Sequence, residues 1–165
     1  MYLNKAIERF SNFCQQTQKS YELKPSSEAQ IKAYEAEIQL PLPKAYKEFL
    51  LWLGESAGGF MGEYVLRGVY LRRNREDALE MLAEDGCPEL LPEDAIVFAW
   101  YNQGQGFGFI RASEGDNPPV YFYDDTKGRI VQTHPNLEAF VIGYMDAVIS
   151  NIAKRKEWIR SINNG

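Results

Sequence analysis

The spacing of apolar residues changes twice along this chain, and that change restricts the fold more than any single motif does. Apolar residues recur at intervals of three and four from Leu3 to Leu53, nearly continuously or in alternation from Ala95 to Val131, and again at three and four from Leu137 to Ile159. The outer patterns are those of amphipathic helices and the middle one is that of strands. Helices, then an antiparallel meander, then a long helix define an α+β fold. With 165 residues and neither a repeat nor a linker, a single domain spanning 1–165 is expected. A chain of that size buries roughly two-thirds of its unfolded surface, so its core needs no disulfide or metal.

Local signals set the expected boundaries. Leu3, Ala6, Ile7, Phe10, Phe13 and Cys14 form the stripe of a first helix. Ser27 and Gln30 fit a capping box at the start of a second, striped by Ile31, Tyr34 and Ile38. Pro43 suits the first position of a third helix, buried through Tyr46, Phe49, Leu50 and Leu53, with Gly54 as its left-handed terminator. Tyr64 to Tyr70 is β-prone but interrupted by Gly68, and Asn74 is placed to cap a short helix from Arg75 to about Glu84. Ala95–Tyr101 with Phe107–Arg111, and Val120–Tyr123 with Arg129–Gln132, read as two hairpins. Asn136 caps the last helix, whose end gathers Lys154, Arg155, Lys156 and Arg160. In the first of these strands, strict alternation puts Phe98 and Trp100 on one face and Val97 and Tyr101 on the other. Two arrangements follow: helices cover both faces, or one face stays open with Tyr121 and Tyr123 as aromatic anchors for a partner.

Charge narrows the function. Eighteen Lys and Arg against 23 Asp and Glu leave a formal net charge of −5. That field runs against a polyanion, so nucleic acid is not an expected partner. No apolar run approaches the roughly 18 residues that span a bilayer, and no leader is apparent, so no membrane partner is expected and the chain reads as soluble and cytoplasmic.

Catalytic and metal-binding chemistry finds few candidates. His134, the one histidine, precedes Pro135 between a strand and a helix cap and reads as a loop residue. Cys14 lies on an apolar stripe and Cys87 in a turn, each without an adjacent base to make a thiolate. Gly104 to Gly108 joins two strands and opens no helix, so it lacks phosphate-cradle geometry and reads as a hairpin with close backbone packing. Asp124 and Asp125 precede Lys127-Gly128 in a turn, where Asp bonds its own backbone. No catalytic residue, metal site or cofactor is expected.

One stretch exceeds ordinary surface chemistry. Between Glu76 and Asp94 stand eight acids and no Lys or Arg. A helix N-terminus accounts for Glu76 and Asp77. Glu76, Glu80 and Glu84, however, repeat every fourth residue, a like-charge ridge that costs a few tenths of a kcal/mol per pair. A solvated acidic face and a docking surface for a basic partner both account for it; the candidate contact residues are Glu76, Glu80, Glu84, Asp85 and Glu89, with Tyr121 and Tyr123.

The second and third helices resemble the signature of the SUKH superfamily, carried here by Ile31, Glu35, Leu42-Pro43, Tyr46, Phe49-Leu50 and the Gly58-Gly59 exit. Trp100, the Gly106–Phe109 strand, Val120–Asp124 and the helix containing Phe140 are similar to the family's sheet and closing helix, so the resemblance covers about 26–149. The chain departs from the pattern in lacking the asparagine before the glycine exit and in its inserted acidic helix. The resemblance implies a binding module without catalysis. Bacterial members look like cytoplasmic immunity proteins that bind and neutralise a cognate toxin, whose toxic domain is often basic; fungal relatives look like regulatory scaffolds with non-toxin protein partners. Opposite fields speed such association.

Overall fold

The computed structural model describes residues 1–62, 64–66, 68–101 and 105–163. In chain order it contains α1 (Asn4–Thr17), α2 (Glu28–Ile38), α3 (Lys44–Leu53), β1 (Tyr64–Leu66), α4 (Leu71–Glu84), β2 (Ala95–Tyr101), β3 (Gly106–Arg111), a single 3₁₀ turn, β4 (Val120–Asp124), β5 (Arg129–His134) and α5 (Leu137–Asn163). The five strands form one antiparallel sheet in sequence order. The expected α+β architecture, with early helices, a central meander and a long last helix, is the one observed.

The Ser27–Gln30 capping box is present with both bonds made, and Asn136 accepts the Ala139 amide at 2.8 Å at the start of α5. Two details of α3 differ from expectation. Pro43 precedes the helix with an extended backbone, so Lys44 is the first helical residue. Gly54 keeps a right-handed conformation; its glycine is required by space, since a Cβ there would lie 2.1 Å from Ser26 Oγ. Of the β-prone stretch only Tyr64–Leu66 is strand, and Arg67 and Gly104 lie outside the described residues.

Both faces of the sheet are covered over β2 and β3, while edge strand β5 stays exposed or half-buried along its length. On one, α1, α3 and α5 enclose Phe98, Phe49, Phe60 and Phe140, with Phe98 edge-on to Phe49 at 5.7 Å and to Phe140 at 5.8 Å. On the other, α4 lays Ala78 and Leu82 over Val97, Trp100, Phe107, Phe109 and Tyr123. Phe98 and Trp100 therefore do not share a face. Val97 pairs with Phe109 but Ala99 pairs with Gly108, so β2 carries one extra residue at Phe98. Such a bulge resets the alternation. The open-face arrangement is excluded for Tyr123, which is 1% exposed.

Glycines in β3 permit close approach. A Cβ on Gly106 would lie 2.3 Å from the Tyr123 carbonyl oxygen, and one on Gly108 would lie 2.5 Å from the Phe122 ring. The expected hairpin packing is met at these two positions.

Candidate functional site

The inward stripe of α4 is Leu71, Asn74, Ala78 and Leu82, all buried. This corrects the expected start of the helix: it begins at Leu71, one turn earlier, and Asn74 caps nothing. Its side chain is fully enclosed, donating to the Val97 carbonyl at 2.9 Å and accepting from Trp100 Nε1 at 3.4 Å. Val97 adjoins the bulge in β2, so Asn74 fastens α4 to the irregular point of the sheet. A signal for this existed, since Asn74 falls on the three-and-four spacing of Leu71, Ala78 and Leu82.

With that face turned inward, Glu76, Glu80 and Glu84 are exposed on the outer side of α4. Glu76 and Asp77 sit beyond the first turn, and the helix N-terminus does not account for them. Arg73 does, reaching Glu76 at 3.9 Å and Asp77 at 2.7 Å. Glu80 and Glu84 have no cation against them among the described residues. Beside the ridge, a groove of about 300 Å³ is lined by Ile38, Leu40, Leu71, Leu79 and Ile96, together with Glu76, Glu93 and two arginines.

The other candidate residues are partly engaged within the fold. Asp85 is exposed yet accepts the Tyr123 hydroxyl at 2.7 Å. Burial, then that carboxylate, push the Tyr123 phenol well above its ordinary range. Glu89 is exposed and accepts the Ile130 amide at 3.2 Å, occupying a donor of edge strand β5. Tyr121 is half-buried, stacks on Phe109 with centroids 5.3 Å apart, and donates to Glu114 at 2.9 Å. The structure thus gathers Glu76, Glu80 and Glu84 on one surface and removes Tyr123 from any surface.

The signature residues other than Trp100 build the helix layer. Ile31, Leu42, Phe49, Leu50 and Phe140 are buried there, and Trp100 is buried on the opposite face of the sheet, under α4. Tyr46 is fully enclosed and its hydroxyl donates to the Gly68 carbonyl at 3.0 Å. Glu35 accepts the Leu42 amide at 2.8 Å and pairs with Lys47 at 2.6 Å, fixing the approach to Pro43 and α3. Partial burial works against the charged Glu35 carboxylate, but these partners prevail and hold its pKa below the ordinary value. In the exit, Gly58 adopts φ +58 and a Cβ there would lie 2.5 Å from the Glu22 carbonyl oxygen.

The remaining chemistry-bearing residues are placed as follows. His134 ends β5, not a loop, and lies edge-on to Phe140 at 5.3 Å; burial lowers its pKa, favouring the neutral ring. Burial likewise raises the Cys14 thiol, which favours the protonated form. Cys87 is half-buried and points at the Gly128 carbonyl at 3.6 Å. Asp124 accepts the Thr126 amide at 3.0 Å in the expected turn, closed by Gly128 at φ +60. Among the described residues no three His, Cys, Asp or Glu side chains are grouped to hold a metal ion, and no helix is long and apolar enough to cross a membrane.

These features define an α+β module whose sheet is clamped between a helix layer and α4, the helix that carries the acidic ridge. The chain belongs to the SMI1/KNR4 family (SUKH-1), whose family model matches residues 25–143. A comparison with curated proteins gave no match.

Proposed function

We propose that this protein is a non-catalytic binding module, an immunity protein of the cytoplasm that neutralises a cognate bacterial toxin by direct contact. The observation that carries the reading is the exposed ridge of Glu76, Glu80 and Glu84, with Glu80 and Glu84 facing no cation of their own among the described residues. A helix tolerates such repulsion at a few tenths of a kcal/mol per pair, and a basic partner relieves it. Family membership adds a scaffold on which other chains of this kind are expected to bind proteins, and the net charge of −5 steers a basic toxic domain toward it. Asp85 and Glu89 flank the ridge and extend its negative field while holding Tyr123 and Ile130.

The test is protection. A toxin domain encoded beside the gene for this chain is the candidate partner: cells expressing such a domain are expected to survive when the chain is co-expressed, and the two purified proteins to associate at a rate that falls with salt. Glu80→Lys with Glu84→Lys leaves the melting curve intact, slows association and flattens its salt dependence. Failure of the unaltered chain to bind or protect refutes the reading, and unchanged kinetics of the double variant remove the ridge from it.

A further inference from the structure

The distal end of α5 carries an apolar seam that the rest of the fold does not cover. α5 runs beside α1 in the same direction: Lys5 N–H donates to Glu138 at 2.8 Å, Arg9 pairs with Asp146, and Gln16 lies by Ile152. The seam passes through Met145, Val148 and Ile152 and continues at the same three-and-four spacing through Arg155, Ile159 and Ile162. α1 stops at Thr17, and a hollow of about 230 Å³ against Ile149, Ile152 and Lys156 marks where its cover ends. From Lys154 to Asn163, about 15 Å of helix extends further. There Trp158, Ile159 and Ile162 are 63%, 43% and 57% exposed. Helices owe most of their stability to packing of an apolar face, so an uncovered seam of this length is a surface in want of a neighbour.

We infer that this end of α5 docks on α4 of a second copy of the chain. The end of α5 and the later turns of α4 match in both charge and apolar surface. Lys156 and Arg160 stand one turn apart in a stretch that also holds Lys154, Arg155 and the acid Glu157, while Glu76, Glu80 and Glu84 stand one turn apart on α4, beyond Arg72, Arg73 and Arg75 of its first turns. Ile159 supplies apolar surface beside the basic row, with Ile162 on its far side, and Leu79, 45% exposed, with exposed Ala83 supplies it along the acidic one. Cations at every fourth residue thus meet anions at every fourth residue across an apolar contact. α5 and α4 pack on opposite faces of the sheet, so the two surfaces meet between copies. One helix end against one helix is a small interface, and the association is weak, concentration-dependent and salt-sensitive. This contact uses the ridge of the proposed function but does not rest on the partner being a toxin.

Sedimentation velocity of the full chain alone, from micromolar to millimolar concentration at low and high salt, tests it. The expected result is a mass that rises above the monomer with concentration at low salt and returns toward it at high salt. Lys156→Glu with Arg160→Glu, and separately Glu80→Lys with Glu84→Lys, each weaken self-association at least tenfold. Mixing the two variants restores it, because the acidic α5 end of one then faces the basic α4 of the other. Ile159→Ser with Ile162→Ser also gives a monomer, with circular dichroism confirming the fold of each variant. A wild-type chain that stays monomeric throughout overturns the inference, as does a failure of the mixed variants to associate. Sedimentation with phosphatidylserine vesicles in place of self-association assigns the seam to an anionic membrane surface and overturns it equally. Since no toxin is present, these outcomes are separable from failure of the protection assay.

Discussion

Replacing Asn74 by alanine removes the donor that satisfies the Val97 carbonyl at 2.9 Å and the acceptor that faces Trp100 Nε1 at 3.4 Å. Both lie where α4 meets the bulge of β2, and Asn74 itself is 0% exposed. A buried polar group deprived of its partner costs about 1–3 kcal/mol, and the longer indole contact contributes toward the low end of that range. The sum is about 2–4 kcal/mol. A domain of this size loses about 2–4 °C of melting temperature per kcal/mol, so the expected drop is about 4–16 °C. Thermal unfolding followed by far-ultraviolet circular dichroism reads it. Asn74→Asp supplies a second arm. It keeps an acceptor for Trp100, but an ionised carboxylate then faces the Val97 carbonyl. Burial raises the folded pKa of the new carboxyl above its unfolded value of about 3.9. Its contribution is therefore fully present below the unfolded pKa and lost as pH rises through the folded one, so this variant regains stability in acid. A melting temperature for Asn74→Ala within about 1 °C of the parent would refute the fastening role, since even loss of an ordinary helix cap costs about 1 kcal/mol.

Other expectations follow from the same structure. Phe49→Ala empties the centre of the helix layer, where Phe49 is 1% exposed, and costs about 3–5 kcal/mol by chemical denaturation; an unchanged midpoint would reject its place in the core. Gly108→Ala drives a Cβ to within 2.5 Å of the Phe122 ring and destabilises by about 1–3 kcal/mol, measured by the same assay. Burial disfavours the charged Asp94 carboxylate, but hydrogen bonds from Ser113 and the Arg111 guanidinium outweigh it and hold the pKa below the usual value. That stabilisation is present above the unfolded pKa and lost as pH falls through the folded one, so Asp94→Asn flattens the decline of melting temperature on acidification.

The elements that could be read in advance are those whose evidence is local. The stripe of α3, the Ser27–Gln30 box and the limits of β2 each depend on residues within a few positions of one another, and the structure reproduces them nearly as spaced. Three features depend on distant partners and were not legible in that way. Asn74 has the chemistry of a cap, and only the carbonyl presented by β2 makes it a core residue. The extra residue at Phe98 is defined by its pairing with β3, so alternation along β2 alone placed Trp100 on the wrong face. Tyr123 was open to an interfacial reading because nothing near it in sequence shows that α4 and Asp85 close over it. The acidic ridge was visible from its spacing, whereas its separation from Asp77, which Arg73 holds, required the helix to start at Leu71.

The pairing of α1 with α5 also sets the order in which the molecule can close. Lys5 and Glu138 meet across a separation of 133 residues, and Arg9 and Asp146 across 137. α5 supplies Phe140, which lies against Phe98, Phe122 and Tyr64 on the sheet. During synthesis the hairpins emerge before the helix that shields this face. α3 precedes the strands and can meet Phe98 through Phe49, but the part of the aromatic face that Phe140 covers, at Phe122 and Tyr64, stays wet until α5 has left the ribosome. Contacts of such long sequence separation form slowly because loop closure precedes their reward. The interval between the last strand and the docking of α5 is therefore when Phe122 and Tyr64 lack their cover and the chain is most open to aggregation.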